Sequence, residues 1–234
     1  MGGKTVHILY WDIDGTILNT GRAGLYAIED VYRELCGDAA KIPEISAGGR
    51  TDNYICQQLL YKGTGVMPTD AEVSSFCRRY ERQLLKWLKK KRQDGTVFAN
   101  VRDILDFFVQ REDFKLLLLT GNSAYGAKLK LEVFGLDHYF DFDHSGFACQ
   151  YYYRNELAQN ACAIAKRTWG NAVETMFVIG DTPYDIECGK AIGAKTISVA
   201  TGHYGYDELR SFQPWKQLRT LPSAAEFLRL LSVE

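Results

Sequence analysis

Four short apolar runs, each followed by aspartate, threonine or glycine, constrain the fold of this chain more than any other feature. They cover residues 6–11, 116–119, 176–179 and 196–200. Short runs of this kind are typical of strands that are buried on both faces of a parallel sheet. The chain therefore needs helices on both sides of such a sheet.

Helical patterns separate the four predicted strands. Apolar residues at Val101, Ile104, Leu105 and Phe108 have the spacing of one helix face. Comparable patterns predict helices over residues 100–110, 124–134, 155–169, 185–192 and 224–231. Strand–helix alternation of this kind predicts an α/β fold with a doubly wound parallel sheet.

The stretch from residue 17 to residue 96 has a different pattern, with no convincing strand. It predicts three helices, over residues 24–35 and 52–60 and from residue 69 onward. We therefore expect an all-helical domain over residues 17–96, inserted after the first strand. The α/β core domain would then comprise residues 1–16 and 97–234.

Composition limits the partners of the chain. Its 234 residues carry a net charge of −1, which gives no overall field to attract nucleic acid or an acidic membrane. No apolar run reaches the ~18 residues of a membrane-spanning helix. The six cysteines form no C-x-x-C pair, so we interpret them as reduced and predict a cytoplasmic protein. The oligomeric state is left open.

Polar side chains collect where three of the predicted strands end. Because the carboxyl ends of parallel strands share one edge of a sheet, that edge is where such folds bind ligands. The residues concerned are Asp12, Asp14, Thr120, Asn122, Asp181 and Asp185. Four carboxylates in a small volume repel one another, and a divalent cation with a preference for oxygen ligands would compensate them. We therefore predict a Mg²⁺ site there.

Three motifs at this edge resemble those of the haloacid dehalogenase-like hydrolase superfamily. They are Trp-Asp-Ile-Asp-Gly-Thr-Ile-Leu at residues 11–18, Leu-Leu-Thr-Gly-Asn at 118–122 and Val-Ile-Gly-Asp-Thr-Pro-Tyr-Asp-Ile at 178–186. Gly-Arg-Thr-Asp at residues 49–52 is similar to the phosphoglycolate phosphatase-like branch. The resemblance implies a Rossmann-like core, a helical cap domain formed by the insert, and a phosphatase.

The resemblance also implies roles for the residues of the first motif. Asp12 would be the nucleophile, because an aspartyl-phosphate divides one difficult displacement into two easier ones. Asp14 would protonate the leaving alcohol and then activate water. The metal would be held by Asp12, the backbone carbonyl of Asp14, and Asp181, with Asp185 acting through a water or as an anchor.

The transferring phosphoryl group would be bound by two further elements. Thr120 would donate a hydrogen bond to it, and the amides of Gly121 and Asn122 would begin an anion-binding helix. The family usually supplies a lysine for the third motif, and Arg154 falls at that position in this sequence. Lys128 and Lys166 are alternative candidates for the cation.

Two arginines of the insert are candidates to contact an anionic group of the substrate. Arg50 lies in the Gly-Arg-Thr-Asp motif, and Arg22 follows a predicted hinge at residues 19–21. A solvated surface position is the alternative interpretation of each.

The sequence thus predicts a magnesium-dependent phosphatase. Its substrate would be a small phosphorylated metabolite, either phosphoglycolate-like or a sugar phosphate. Asp14 and Asp181 favour phosphoryl transfer over dehalogenation, which requires neither a proton donor to an alkoxide nor a metal. Two alternatives stay open: a sugar-phosphate mutase with the same core, and a catalytically weak module that binds a phosphorylated ligand.

Overall fold

A five-stranded parallel sheet organises the fold. The structure is a computed structural model that describes residues 5–37, 41–148 and 150–231. The strands are β1 (Val6–Trp11), β2 (Leu18–Asn19), β3 (Thr96–Val97), β4 (Phe114–Leu118), β5 (Val173–Gly180), β6 (Lys195–Val199) and β7 (Lys216–Leu218). The sheet has the order β4-β1-β5-β6-β7, with β1 between the two strands whose ends carry the other motifs.

Helices cover both faces of this sheet, which confirms the predicted doubly wound α/β fold. They are α4 (Val101–Val109), α5 (Ala124–Phe134), α6 (Arg154–Trp169), α7 (Pro183–Ala191), α8 (Tyr206–Arg210) and α9 (Ala224–Leu231). On one face, α4, α5 and α9 pack against Leu9 and Trp11 of β1. On the other, α6 and α7 pack against Ile8 and Tyr10. Alternate residues of β1 thus enter two separate apolar cores.

A third apolar core lies among the helices of the insert, α1 (Ala23–Cys36), α2 (Asp52–Thr64) and α3 (Asp70–Lys90). Phe76 and Leu84 of α3 are buried in it, and Leu129 of α5 joins it from the other part of the chain. The long helix α3 begins with a capping box between Thr69 and Glu72. The division into two domains after residue 16 and before residue 97 stays a prediction.

Several short elements were not anticipated from the sequence. β2 and β3 pair antiparallel where the insert begins and ends, and with two residues each they carry no detectable pattern. β7 and α8 were also missed, since β7 is a polar three-residue edge strand and α8 has only five residues. The predicted helix 52–60 continues to Thr64.

The structure gives the state of five of the cysteines and the length and apolar character of the helices. Cys36, Cys56, Cys77, Cys162 and Cys188 are free thiols, and Cys149 lies outside the described residues. In the part of the chain that the structure describes, no helix combines the length and apolar character needed to span a bilayer.

The register of the sheet places the motif residues side by side. Trp11, the last residue of β1, pairs with Leu118 of β4 and with Ile179 of β5. The residues that follow these three positions therefore emerge together at the carboxyl edge. This alignment creates the site described next.

Candidate active site

Asp12 occupies the centre of the carboxyl edge. Its backbone amide donates to Ile179 O at 2.9 Å, which extends the sheet pairing by one residue. Its side chain is buried, and Arg154 Nη1 donates to its Oδ1 at 3.2 Å. A carboxylate in this position can attack an electrophile that enters the sheet edge.

Arg154 is a buried cation that joins two of the predicted site carboxylates. It is the first residue of α6 and only 5% exposed. Its guanidinium bonds Asp12 and Asp185, and also donates to Leu119 O at 3.2 Å. The structure thus brings Arg154 to Asp12. The alternative cations are exposed, and Lys128 pairs with Glu132 on the outer face of α5.

Asp181 and Asp185 complete an acidic group beside Asp12. One carboxylate oxygen from each of the three lies within 4.8 Å of the others. Thr16 Oγ1 donates to Asp181 Oδ1 at 3.0 Å. Asp185 Oδ2 accepts from both the amide and the hydroxyl of Thr182, at 3.0 and 2.7 Å. Because Arg154 holds its other oxygen, Asp185 is positioned to anchor the group.

The surroundings of Asp181 fit a small oxygen-bound cation. Gly15 and Gly202 both approach its carboxylate so closely that a Cβ atom at either position would overlap Asp181 Oδ2. Gly15 also has a φ of 87°, a conformation that favours glycine. The donor set consists of oxygen atoms alone, which suits Mg²⁺. The residues present therefore fit the predicted metal.

The raised pKa values of the acidic residues also indicate that the site needs positive charge when no metal is bound. Burial raises the pKa of Asp12 to about 7, although Arg154 opposes that rise, and Asp185 and Asp14 add to it. Burial, together with the charges of Asp12 and Asp185, also raises the pKa of Asp181 well above its usual range. One buried arginine does not neutralise three carboxylates, so a divalent cation would stabilise their ionised forms.

The turn after β4 forms the second side of the site. Thr120 is fully buried, and its hydroxyl accepts from Asn122 Nδ2 at 2.8 Å. Ser123 caps α5 by accepting from the amide of Gly126 at 3.0 Å. A Cβ atom at Gly121 would collide with the backbone oxygen of Arg50, so the insert lies directly against this turn. The amides of the turn stand at a helix N-terminus, where anions bind.

Lys130 is a buried site residue that the sequence analysis did not single out. Its ammonium lies 2.5 Å from Asp14 Oδ2 and 2.6 Å from Asn122 Oδ1. A signal for it exists in the sequence. Lys130 lies three residues after Ala127 and four before Phe134, and both of these are buried on the inner face of α5.

The two arginines of the insert have different surroundings. Arg50 stacks between the rings of Tyr54 and Tyr184, at 4.6 and 4.2 Å from their centroids. Its Nε is buried and has no hydrogen-bond partner in the described structure. Arg22 is exposed, and the contact found for it is with Tyr26. The structure therefore places Arg50 beside the turn after β4, whereas the side-chain contact recorded for Arg22 within the described residues is with Tyr26.

The chain is similar to known proteins both in sequence and in fold. The sequence matches the model of a family described as haloacid dehalogenase-like hydrolase over residues 9–199. It is 30% identical over 124 residues to the pyrophosphatase PpaX of Halalkalibacterium halodurans, a match that covers 51% of this chain and 54% of that protein. The match thus spans about half the length of this curated relative.

Solved structures share the fold at low sequence identity. A family IA, variant 3 hydrolase from Entamoeba histolytica has a TM-score of 0.70 at 16% identity, covering 92% of this chain and 93% of that one. A predicted phosphoglycolate phosphatase from Haemophilus somnus has a TM-score of 0.63 at 16% identity, covering 99% of this chain and 100% of that one.

Proposed function

Because the chain belongs to the haloacid dehalogenase-like hydrolases, we propose that it is a magnesium-dependent phosphatase of small phosphomonoesters. The observation that carries the proposal is the convergence of Asp12, Arg154 and the acidic group at the edge beside the turn after β4. This arrangement provides a nucleophile, a fixed positive charge and an anion-binding turn in one place.

In the proposed reaction, Asp12 attacks the phosphorus atom of the substrate. Arg154 holds Asp12 Oδ1, which fixes the carboxylate and supplies positive charge for the incoming dianion. Thr120 and the amides of Gly121 and Asn122 bind phosphoryl oxygens at the start of α5. The product of this step is an aspartyl-phosphate, and the leaving group departs as an alcohol.

Mg²⁺ would be held by Asp12, the carbonyl of Asp14 and Asp181, with Asp185 as an outer anchor. When bound, it neutralises negative charge on the nucleophile and the phosphate, which otherwise repel each other. Asp185 fits the anchoring role because Arg154 and Thr182 already occupy both of its carboxylate oxygens.

Asp14 acts on the protons of the reaction. It donates one to the leaving oxygen and then takes one from the water that hydrolyses the aspartyl-phosphate, which regenerates Asp12. Its side chain is 44% exposed, so a substrate can reach it. Asp14 thus serves first as acid and then as base.

The helical insert acts as a cap domain in this proposal, with the boundaries at residues 17 and 96. Asp52 donates its amide to Gly121 O at 2.7 Å and accepts from Ser123 N at 2.8 Å, so α2 docks on the phosphate-binding turn. Docking of this kind excludes water during transfer. Arg50 would bind an anionic group of the departing metabolite, and Arg22 is the second candidate for such a contact.

The proposal is tested by measuring phosphate release from p-nitrophenyl phosphate. We expect turnover with Mg²⁺, none after chelation, and a loss of at least ~10⁴-fold in Asp12→Asn, because the nucleophile is removed. Asp103→Asn, which changes an exposed carboxylate on α4, is the matched control and should retain activity. Turnover that survives chelation or Asp12→Asn would refute the mechanism.

The same assay separates the alternatives. A mutase would interconvert sugar phosphates without net phosphate release, and a binding module would retain a phosphorylated ligand without turnover. Phosphoglycolate, sugar phosphates and inorganic pyrophosphate form the substrate panel, the last because the curated relative is named a pyrophosphatase. We propose that the protein acts on a small phosphorylated metabolite in the cytoplasm.

A further inference from the structure

Among the residues that the structure describes, the ammonium of Lys130 is a buried charge to which the proposed mechanism gives no role. The side chain of Lys130 is only 5% exposed, although lysine is rarely buried unless it is paired. It projects from α5, between Leu129, which packs in the core of the insert, and Leu131, which packs in the core of the sheet. Its ammonium therefore stands where these two cores meet at the site.

Lys130 forms a closed set of contacts with two residues of the motifs. Its Nζ lies 2.5 Å from Asp14 Oδ2 and 2.6 Å from Asn122 Oδ1. Asn122 Nδ2 in turn donates to the same Asp14 oxygen at 2.9 Å. Two side chains, Lys130 on α5 and Asn122 in the turn after β4, thus determine the position of one oxygen of Asp14.

The two oxygens of Asp14 consequently differ. Oδ2 accepts two hydrogen bonds, whereas Oδ1 accepts none from the residues that the structure describes. Lys130 therefore contacts only the Oδ2 side of Asp14, whose side chain as a whole is 44% exposed. A carboxyl group held in this way presents one oxygen to a ligand in a fixed direction.

We infer that Lys130 is a positioning residue for Asp14, an inference that rests on the proposed phosphatase function. It orients the carboxyl group so that Oδ1 meets the leaving oxygen, and it does not contact the phosphoryl group. Ion pairs contribute little to stability whether they are exposed or buried, so stability alone does not account for this half-exposed pair. Misorientation of a proton donor, by contrast, directly lowers the rate of the reaction that it catalyses.

Substrates with different leaving groups distinguish positioning from a purely structural role. An alkyl phosphate releases a strongly basic alkoxide and requires the proton from Asp14. p-Nitrophenyl phosphate releases a stable phenolate and does not. The ratio of kcat/KM for the two substrates isolates this first step and is independent of the fraction of enzyme that is folded.

The test uses Lys130→Met, which keeps an unbranched side chain as far as Cε and removes the ammonium. We expect kcat/KM for an alkyl phosphate to fall ~10²-fold and that for p-nitrophenyl phosphate to fall less than ~10-fold. Lys130→Arg, which retains charge and donors, should recover most of the wild-type ratio. Lys128→Met, an exposed change on the same helix, is the matched control and should leave the ratio unchanged.

A double-mutant cycle completes the test. If Lys130 acts through Asp14, adding Lys130→Met to Asp14→Asn causes no further loss on the alkyl substrate. Equal losses on both substrates, or additive losses in the double variant, would overturn the inference while the phosphatase function stands. Absence of phosphate release by the wild-type protein would overturn both.

Discussion

Arg154 and Asp181 show how single residues determine this site. Arg154 takes the position where the family usually has a lysine, and its planar guanidinium bonds Asp12, Asp185 and Leu119 O together. A lysine ammonium could not span these acceptors in the same fork-like manner. Asp181 depends instead on neighbours that lack side chains, Gly15 and Gly202.

Replacement of Gly202 tests the metal site. In Gly202→Ala the new Cβ would overlap Asp181 Oδ2, so the carboxylate must move. We expect the Mg²⁺ concentration for half-maximal activity to rise ~10-fold, as for other changes that misalign a metal ligand. At Gly205 a Cβ atom meets nothing within 4 Å, so Gly205→Ala is the matched control. The same Mg²⁺ dependence in both variants would contradict the assignment of Asp181.

Replacement of Arg154 tests the electrostatic account of Asp12. Arg154→Met leaves two buried carboxylates without their cation, so we expect a loss of about 3–5 kcal/mol in the free energy of unfolding without metal. Removal of the cation should raise the pKa of Asp12 above its present value of about 7. The loss of unfolding free energy should therefore become smaller as the pH falls and the carboxyl group takes up a proton. Urea unfolding of the wild type and the variant at pH values above and below about 7 measures this loss of free energy. A loss that does not change with pH would contradict the electrostatic account of Asp12.

Among the elements, α2 connects the insert to the turn after β4. Asp52, in its first turn, bonds the backbone of Gly121 and of Ser123. Ser123 Oγ in turn donates to Glu81 of α3 at 2.5 Å. Two helices of the insert therefore hold the start of α5, and the insert cannot move away from α5 without breaking these bonds.

Asp52 gives this connection a pH dependence. Burial raises its pKa from 3.8 to about 6; Lys130 and the amide of Ser123 oppose the rise, and Asp14 and Glu81 add to it. The folded state therefore holds the proton more tightly than the unfolded state, and stability falls as pH rises from about 4 to about 6. The cost above that range is ~3 kcal/mol at most, at 1.36 kcal/mol per pKa unit.

Asp52→Asn isolates this effect, because asparagine still accepts from Ser123 N but does not titrate. We expect the variant to gain stability relative to the wild type as pH rises from about 4 to about 6, by up to ~3 kcal/mol, and to keep that gain at higher pH. Denaturant unfolding in metal-free buffer across this range is the measurement. A difference between the two proteins that stays constant with pH would contradict the account.

The elements that the sequence predicts well are those with a long or distinctive pattern. The strand 6–11 and the helices 124–134 and 224–231 have the predicted bounds because apolar residues mark both of their ends. The short strands β2, β3 and β7 escaped prediction because they are only two or three residues long and have no apolar pattern of their own. Tertiary context determines such elements, and local preference does not.

At the scale of the whole molecule, the sheet explains why much of the candidate site is visible in the sequence. Asp12, Thr120 and Asp181 each follow a strand, and parallel register brings strand ends together whatever the intervening chain does. The sequence indicates that Lys130 lies on the inner face of α5 and that Asp52 ends a motif, but the contacts of both side chains depend on how the helices pack. That packing is set by the three apolar cores, which no single segment encodes.

Phosphoryl transfer through Asp12 is tested most directly by trapping the intermediate. In Asp14→Asn the base for hydrolysis is missing, so with Mg²⁺ and p-nitrophenyl phosphate the aspartyl-phosphate should accumulate. We predict that acid quenching and peptide mass spectrometry find one phosphoryl group on Asp12, and none when Asp12→Asn is added. Phosphate release by the wild-type protein with the adduct on another residue would contradict the account.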